Sequence, residues 1–236
     1  MHKYILVTGG TKGIGRAIIE KFAAEGFHVI TCARSEKDLE KLKLDLEREY
    51  TFSKVHYLSA DLGQEKDRTR FLKFVHDLKV KIDVLVNNTG LFIPGKLYEE
   101  DDSILPQLIA TNLYSAYYVT KSLVPEMIKR RSGHIFNICS TASIMAYPNG
   151  GSYSITKFAL YGMTKCLREE VKEFGVKVTS VLPGATLTAS WEGVDLPADR
   201  FMKSEDIGNL IYAAYTLSKN SVVEELLIRP QLGDIV

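Results

Sequence analysis

The sequence has few cysteines, almost no net charge and no long apolar run, and each shortage excludes a class of protein. Its 236 residues include three cysteines, Cys32, Cys139 and Cys166, with no close pair, which favours a reduced, cytoplasmic setting. Thirty basic residues against 29 acidic ones leave a net charge of +1, too little for a nucleic-acid-binding surface. No stretch approaches the roughly 18 to 20 apolar residues of a membrane span, and residues 4–7 are too few for a signal-peptide core.

Metal-ligand spacing and linkers are missing as well. The histidines are scattered, with no pair at the spacing of metal ligands, so no metal site is expected. The chain also lacks a stretch rich in proline, glycine and serine that would divide it. With 45% apolar and 25% charged residues, we therefore expect residues 1–236 to form one globular domain.

Short apolar runs rich in β-branched residues alternate with longer segments of helical pattern. The predicted strands are 4–8, 28–32, 55–59, 84–87, 134–139, 177–182 and 226–228. Unbroken runs are typical of strands covered on both faces, and their alternation with helices predicts a doubly wound α/β fold with one parallel sheet. Ligands of such sheets bind beyond the carboxyl ends of the strands, so the residues after each run are the candidates for function.

A glycine-rich turn follows the first predicted strand and opens a helix. Glycines permit a sharp turn, and the free N–H groups of a helix N-terminus attract a pyrophosphate. The spacing Gly-x-x-x-Gly-x-Gly predicts dinucleotide binding, with a purely structural turn as the alternative. The residues assigned to the cofactor here are Gly9, Thr11, Lys12, Gly13, Ile14 and Gly15.

The ends of the second, third and fourth strands carry further candidates. Arg34 and Ser35 follow the second strand, where an acid would suit NAD and an arginine suits the 2′-phosphate of NADP. Together with Lys12 they predict NADP(H), unless both cations are ordinary surface charges. Asp61 could accept a hydrogen bond from adenine. The remaining candidates are Leu62, Asn88 and Gly90, although the amides after the fourth strand could equally tie neighbouring strands together.

A tyrosine and a lysine four residues apart lie on one face of a helix, but this pattern alone has little weight. Chance alone predicts roughly one Tyr-x-x-x-Lys pair in a chain of this composition, and the sequence contains five. Only Tyr153, which pairs with Lys157, has a serine thirteen residues before it, and that Ser140 ends a predicted strand. The sixth strand is followed by further cofactor candidates, with a plain turn as the alternative. They are Pro183, Gly184, Thr186 and Thr188.

Taken together, these motifs resemble the short-chain dehydrogenase/reductase superfamily over essentially the whole chain. The resemblance includes Asn112 and departs at Thr89, where the family usually has alanine. It implies a Rossmann-type, seven-stranded parallel sheet with helices on both faces, and hydride transfer between NAD(P)H and a carbonyl or alcohol. From residue 133 onward the chain is most similar to bacterial sepiapterin reductases, although these stretches recur in 3-oxoacyl-carrier-protein reductases.

The resemblance also implies roles for four residues. Tyr153 would be the general acid in reduction, and Ser140 would bond the substrate oxygen. Lys157 would hold the nicotinamide ribose and lower the pKa of the tyrosine. Asn112 would support a water relay to Lys157, although a helical asparagine could instead bond the backbone.

The sequence also allows predictions about the substrate site and the oligomeric assembly. A short lid is expected at about residues 189–202, and its wall residues could equally belong to the core. The apolar stretch 158–163 covers the whole circumference of a helix, so one side is expected to pack on another subunit of a homodimer or homotetramer, unless the monomer covers it. The candidate wall residues are Leu91, Phe92, Met145, Tyr147, Leu187 and Trp191.

These observations favour an NADPH-dependent reductase of a small carbonyl compound, with a sepiapterin-like substrate as one candidate. A 3-oxoacyl-carrier-protein reductase is the alternative, but the predicted lid, with three acids against one arginine, shows no docking patch for an acidic carrier. A catalytically silent NADP-binding sensor would not need the complete serine, tyrosine and lysine set. A sugar-nucleotide epimerase would normally need a longer chain.

Overall fold

A computed structural model describes residues 2–188, 193 and 195–235, and the described residues form one seven-stranded parallel sheet. The order across the sheet is β3-β2-β1-β4-β5-β6-β7. The chain therefore begins in the centre, winds outward to β3, and returns to build the other half from β4 onward. The strands are β1 (Tyr4–Thr8), β2 (His28–Ala33), β3 (Val55–Ser59), β4 (Ile82–Asn87), β5 (Gly133–Ile138), β6 (Val176–Pro183) and β7 (Glu225–Ile228).

Helices connect successive strands of the sheet. A π-helix joins α4 directly to α5, and a glycine in the left-handed conformation, Gly175, ends the single-turn 3₁₀-helix that follows α6. The α-helices are α1 (Gly13–Ala24), α2 (Glu36–Glu49), α3 (Glu65–Asp77), α4 (Ile104–Leu108), α5 (Ser115–Lys129), α6 (Gly151–Val171) and α7 (Ser204–Thr216), and the π-helix is Ile109–Tyr114. Among the described helices, none is long and apolar enough to span a membrane.

The sheet has a separate hydrophobic core on each face. Ile5 and Val7 of β1 point to one face, where α1, α2 and α7 pack, while Leu6 between them points to the other, where α3 and α5 pack. All three side chains are fully buried. Successive side chains of a strand point to opposite faces, so a strand covered on both must be apolar throughout. This explains the unbroken apolar runs of the sequence and confirms the predicted fold class.

The bounds of β1 and β3 agree with the sequence prediction, and those of the other five strands differ by one or two residues. β2 continues to Ala33, which pairs with Ser59, and β4 begins at Ile82. Asn87 is the last residue of β4, as predicted, and its side-chain amide donates to Asn137 of β5 at 2.7 Å. One of the two amides at the end of the fourth strand therefore ties neighbouring strands together.

Candidate active site

A cleft of about 1380 Å³ opens at the carboxyl edge of the sheet. Every residue that the sequence assigned to cofactor binding lines it, and so do Ser140 and four predicted wall residues, Leu91, Phe92, Met145 and Tyr147. Parallel strands bring their carboxyl ends to one edge, so residues far apart in the sequence meet here. Asn112 is fully buried outside the lining, and Trp191 lies outside the described residues.

The glycine-rich turn forms one end of the cleft. Gly9 and Gly13 have φ angles of +69° and +54°, which other residues rarely adopt. A side chain at Gly15 would collide with the carbonyl oxygen of Gly9 and the amide of Asn88. Asn88 donates to the carbonyls of Thr8 and Gly9, at 2.9 Å each, and so braces the turn from β4.

Helix α1 presents its N-terminus to this end of the cleft. It begins at Gly13, and Lys12 is its N-cap residue. Among the described residues, the Lys12 side chain makes no capping hydrogen bond and the first turn contains no acidic residue. The first N–H groups of the helix therefore lack an internal partner while the helix dipole is positive there. The arrangement suits a phosphate group.

Two cations and one carboxylate surround the adjacent part of the cleft. Arg34 lines it after β2, and Lys12 lies 3.4 Å from the carboxylate of Asp38, measured from Nζ to Oδ2. The backbone N–H of Asp38 donates to the hydroxyl of Ser35, the N-cap residue of α2. The predicted cationic corner is therefore formed, but Lys12 has a competing carboxylate.

The end of β3 supplies the next part of the wall. Asp61 accepts a hydrogen bond from the backbone of Gly63 at 2.9 Å, so its carboxylate also shapes the turn in which it lies. Gly63, Gln64 and Thr111 line the cleft here and were missed by the sequence analysis. They follow no strand directly, and no motif marks them.

Ser140 and Tyr153 meet in the middle of the cleft. Ser140 follows β5, and its hydroxyl accepts a hydrogen bond from the backbone of Ala142, which caps a short 3₁₀-helix. Tyr153 lies in the first turn of α6 and is hydrogen-bonded to Ser140. The ring of Phe92 contacts the tyrosine edge-on, with 4.8 Å between ring centroids.

Lys157 lies one helical turn beyond Tyr153 and is almost completely buried. Its ammonium group donates to the carbonyl of Ile138 at 2.9 Å and lies 5.6 Å from the centroid of the tyrosine ring. Burial disfavours the charged amine and lowers the pKa of Lys157 to about 8.

The pKa of Tyr153 departs from the expectation that Lys157 lowers it. Burial disfavours the phenolate and raises the pKa of Tyr153 to about 12, while the hydrogen bond to Ser140 acts in the opposite direction but is too weak to compensate. The net shift of the tyrosine pKa is therefore upward, opposite to the expected lowering. The phenol holds its proton at neutral pH.

Asn112 lies in the π-helix and bonds the backbone of a neighbouring segment. Its carbonyl oxygen accepts from the N–H of Leu91 at 2.7 Å, and its amide donates to the carbonyl of Leu91 at 2.9 Å and to Thr156 at 3.0 Å. A π-turn inside an α-helix is frequent at functional sites. The geometry matches the alternative in which this asparagine bonds the backbone, and it fixes the start of the cleft wall beside Tyr153.

The remaining wall comes from several loops. Leu187 is half exposed and is not among the described residues that line the cleft. The predicted lid lies partly outside the described residues; within it, Ala198–Arg200 form a 3₁₀-helix, and Met202 pairs with Thr186.

The chain near residue 234 also reaches the cleft, which the sequence analysis did not predict. Asp234 and Ile235 line it. Arg200 donates to the carbonyls of Gly233 and Asp234, at 2.9 and 3.0 Å, and Arg229 pairs with the carboxylate of Asp234 at 2.8 Å. The described residues contain no cluster of three or more histidine, cysteine or acidic side chains that could hold a metal ion.

Comparison with known proteins defines the class. The family model described as short chain dehydrogenase matches residues 3–197, and the chain belongs to this family of oxidoreductases. Sepiapterin reductase of Chlorobaculum tepidum is 32% identical, over 100% of this chain and 99% of that protein.

Solved structures show the same fold. An alcohol dehydrogenase from the archaeon Thermococcus sibiricus, complexed with 5-hydroxy-NADP, superposes with a TM-score of 0.89 at 26% identity, over 98% of this chain and 97% of that one. L-sorbose reductase from Gluconobacter frateurii, complexed with NADPH and L-sorbose, gives a TM-score of 0.87 at 25% identity, over 97% and 95% of the two chains. Family membership makes this chain an enzyme acting on an alcohol or a carbonyl.

Proposed function

We propose that the protein reduces a carbonyl group of a small molecule to an alcohol with NADPH, and that Ser140, Tyr153 and Lys157 carry out the proton chemistry. The observation that carries the proposal is the meeting of the Ser140 and Tyr153 hydroxyls in the cleft, with a protonated phenol. A hydroxyl pair of this kind can hold a carbonyl oxygen and donate a proton to it.

The cleft fits a dinucleotide. The turn from Gly9 to Gly15 leaves the space that side chains would fill, and the N-terminus of α1 offers unpaired N–H groups to a pyrophosphate. Gly9, Thr11, Lys12, Gly13, Ile14 and Gly15 would hold the pyrophosphate, while Asp61, Leu62, Asn88 and Gly90 would surround the adenosine and the ribose. Pro183, Gly184, Thr186 and Thr188 would lie against the nicotinamide.

The preference for NADPH over NADH rests on charge. Arg34 and Lys12 line one corner of the cleft, at the position after β2 where a 2′-phosphate would lie. Charge-assisted hydrogen bonds to a phosphate are the stronger kind. The NADP and NADPH bound to structural relatives support the same choice.

A nicotinamide held in the cleft would supply the hydride. Hydride addition would leave negative charge on the substrate oxygen, which the hydroxyls of Ser140 and Tyr153 would stabilise by donating hydrogen bonds. Tyr153 then gives up its phenolic proton. Because burial raises the pKa of Tyr153 to about 12, the phenol holds its proton at neutral pH and is ready to donate it.

Lys157 supplies positive charge near the ring of Tyr153. Its pKa of about 8 keeps most of the amine protonated at neutral pH, so it stabilises the phenolate that forms when Tyr153 releases its proton. Its contact with the carbonyl of Ile138 fixes the ammonium group at the end of β5. We propose a holding role for Asn112, which ties Leu91 beside this centre.

The proposed substrate is small and partly apolar. Leu91, Phe92, Met145 and Tyr147 line the cleft, and an apolar wall with a few hydroxyls suits ketones of many kinds. The sepiapterin reductase of Chlorobaculum tepidum makes sepiapterin the first compound to test. Residues 189–202 remain the proposed lid.

We propose that the enzyme is a homodimer or homotetramer. Leu160 is buried within the protomer, whereas Ile155 and Phe158 on the same helix are more than two-fifths exposed. A Cβ atom added at Gly162 would have no described atom within 4 Å. Tyr117 of the neighbouring α5 is also exposed. An apolar and aromatic surface on two adjacent helices supports burial against another copy.

A panel of carbonyl compounds tests the proposed function. Purified enzyme would be mixed with NADPH and with sepiapterin, simple ketones, diketones or a 3-oxoacyl thioester, and the absorbance of NADPH would be followed. We expect turnover of a small ketone or diketone with NADPH and much slower turnover with NADH. NADPH binding without turnover of any compound would favour the catalytically silent sensor instead.

A further inference from the structure

The helix that carries Tyr153 is held at its first turn by a carboxylate from another segment. Glu100 accepts two contacts from the backbone N–H of Ser152, at 3.0 Å to Oε1 and 3.2 Å to Oε2. The hydroxyl of Ser152 donates to Oε2 of the same carboxylate. Ser152 is 1% exposed and immediately precedes the tyrosine.

The carboxylate of Glu100 caps the N-terminus of α6, where the described residues of the helix supply no side-chain cap of their own. Gly150 at the N-cap provides no side-chain cap, and the described first turn contains no acid. Helix N-termini favour a negative charge, and hydrogen bonds to a carboxylate are about twice as strong as neutral ones. A side chain at Gly151 would collide with Oε1 of Glu100, and its φ of +31° also favours glycine, so the backbone is shaped for this close approach.

The segment that includes Glu100 also touches the tyrosine ring. Phe92 packs edge-on against Tyr153 at 4.8 Å, and the N–H of Gly95 donates to the carbonyl of Asn149 at 3.0 Å. Residues 92–100 therefore contact both the ring of Tyr153 and the backbone that carries it. Loss of one of these contacts would remove a restraint on the position of the tyrosine ring.

We infer that Glu100 is a positioning residue, which clamps the first turn of α6 and thereby fixes the hydroxyl of Tyr153 against Ser140. The inference rests on the proposed function, because it assigns the clamp to the proton-transfer step. Glu100 is not among the described residues that line the cleft.

Steady-state kinetics on variants test the clamp. In Glu100→Ala we expect kcat to fall at least about 10-fold, since misplacing a catalytic group by about 1 Å costs up to about 100-fold. The Kd for NADPH, measured by fluorescence, should change less than about 2-fold, because the hydrogen bonds described for Glu100 go to Ser152 and not to the glycine-rich turn. Glu100→Gln keeps an acceptor for the Ser152 N–H and should restore most of kcat.

Glu99 provides the matched control. It lies next to Glu100, is exposed, and pairs with Lys96 at 3.2 Å. Glu99→Ala should behave as wild type. A wild-type kcat in folded Glu100→Ala, or an equal loss in Glu99→Ala, would overturn the inference.

Two measurements cover the remaining outcomes. If Glu100→Ala does not fold, Ser152→Ala removes only the hydroxyl contact. We then expect a several-fold lower kcat with unchanged NADPH binding, and an unchanged kcat would contradict the clamp.

If the wild type binds NADPH but reduces no carbonyl, the proposed function fails separately. Hydrogen–deuterium exchange of residues 150–157 then decides, because the clamp requires faster exchange in folded Glu100→Ala or Ser152→Ala than in wild type.

Discussion

Replacing Tyr153 with phenylalanine removes one oxygen atom from the centre of the proposed mechanism. The ring keeps its edge-on contact with Phe92, so the packing beside the cleft should survive. The change removes the hydrogen bond to Ser140 and the phenolic proton. Because Ser140 keeps its contact with the N–H of Ala142, its hydroxyl stays close to its present position.

The expected loss follows from the role of the hydroxyl. A positioned general acid contributes roughly 100- to 10,000-fold, so kcat of Tyr153→Phe should fall by that factor. The stability change should stay near 1 kcal/mol, the net value of about one hydrogen bond. NADPH should bind with nearly unchanged affinity, since the glycine-rich turn and Arg34 are untouched.

The assay compares this variant with Tyr161→Phe. Tyr161 belongs to another Tyr-x-x-x-Lys pair on the same helix, but its hydroxyl bonds Glu225 at the surface. NADPH consumption gives kcat, and fluorescence titration gives the Kd for NADPH. We expect Tyr161→Phe to retain activity. Near-normal turnover by folded Tyr153→Phe would refute the assignment of the proton donor.

Three further predictions concern the cofactor, a buried charge and the assembly. Arg34→Asp should weaken NADPH binding by roughly 10- to 100-fold, as expected for a lost charge-assisted bond, and NADH binding far less; equal effects in fluorescence titrations would remove Arg34 from the phosphate site. The pKa of Lys157 is about 8 in the folded chain and higher in the unfolded chain, so the unfolded chain binds more protons above pH 8. The free energy of unfolding of wild type relative to Lys157→Met should therefore rise between pH 8 and 10, by about 1.4 kcal/mol per unit at most; a flat difference in urea titrations would contradict a buried ammonium. Light scattering at micromolar concentration should give a mass above the 26.5 kDa of one chain, and a monomer would count against the exposed surface of α5 and α6 as an interface.

The parts of the fold that could be predicted are those with a local signal. A strand buried on both faces needs an unbroken apolar run, so Ile5, Leu6 and Val7 reveal their strand directly. The glycine-rich turn is equally local, because Gly9 and Gly13 occupy conformations that other residues rarely adopt. The strand ends Ala33 and Ile82 were placed less well, since pairing with a neighbour decides them.

The parts that could not be predicted depend on contacts between distant segments. In the sequence, Glu100 is one of four consecutive acidic residues, 99–102, and no local pattern distinguishes it. Only the folded chain brings its carboxylate to Ser152. The pKa of Tyr153 has the same origin: spacing predicts a lysine nearby, but the cost of burial, which raises the value to about 12, appears only in three dimensions.

The cleft draws its walls from nearly the whole length of the chain, from Gly9 to Ile235. A site assembled from such distant segments cannot form from a partly folded or partly synthesised chain, because each missing strand removes a wall. Contacts between segments far apart in sequence also form slowly. During refolding, the cleft and the activity should therefore appear together and late, after the helices have formed.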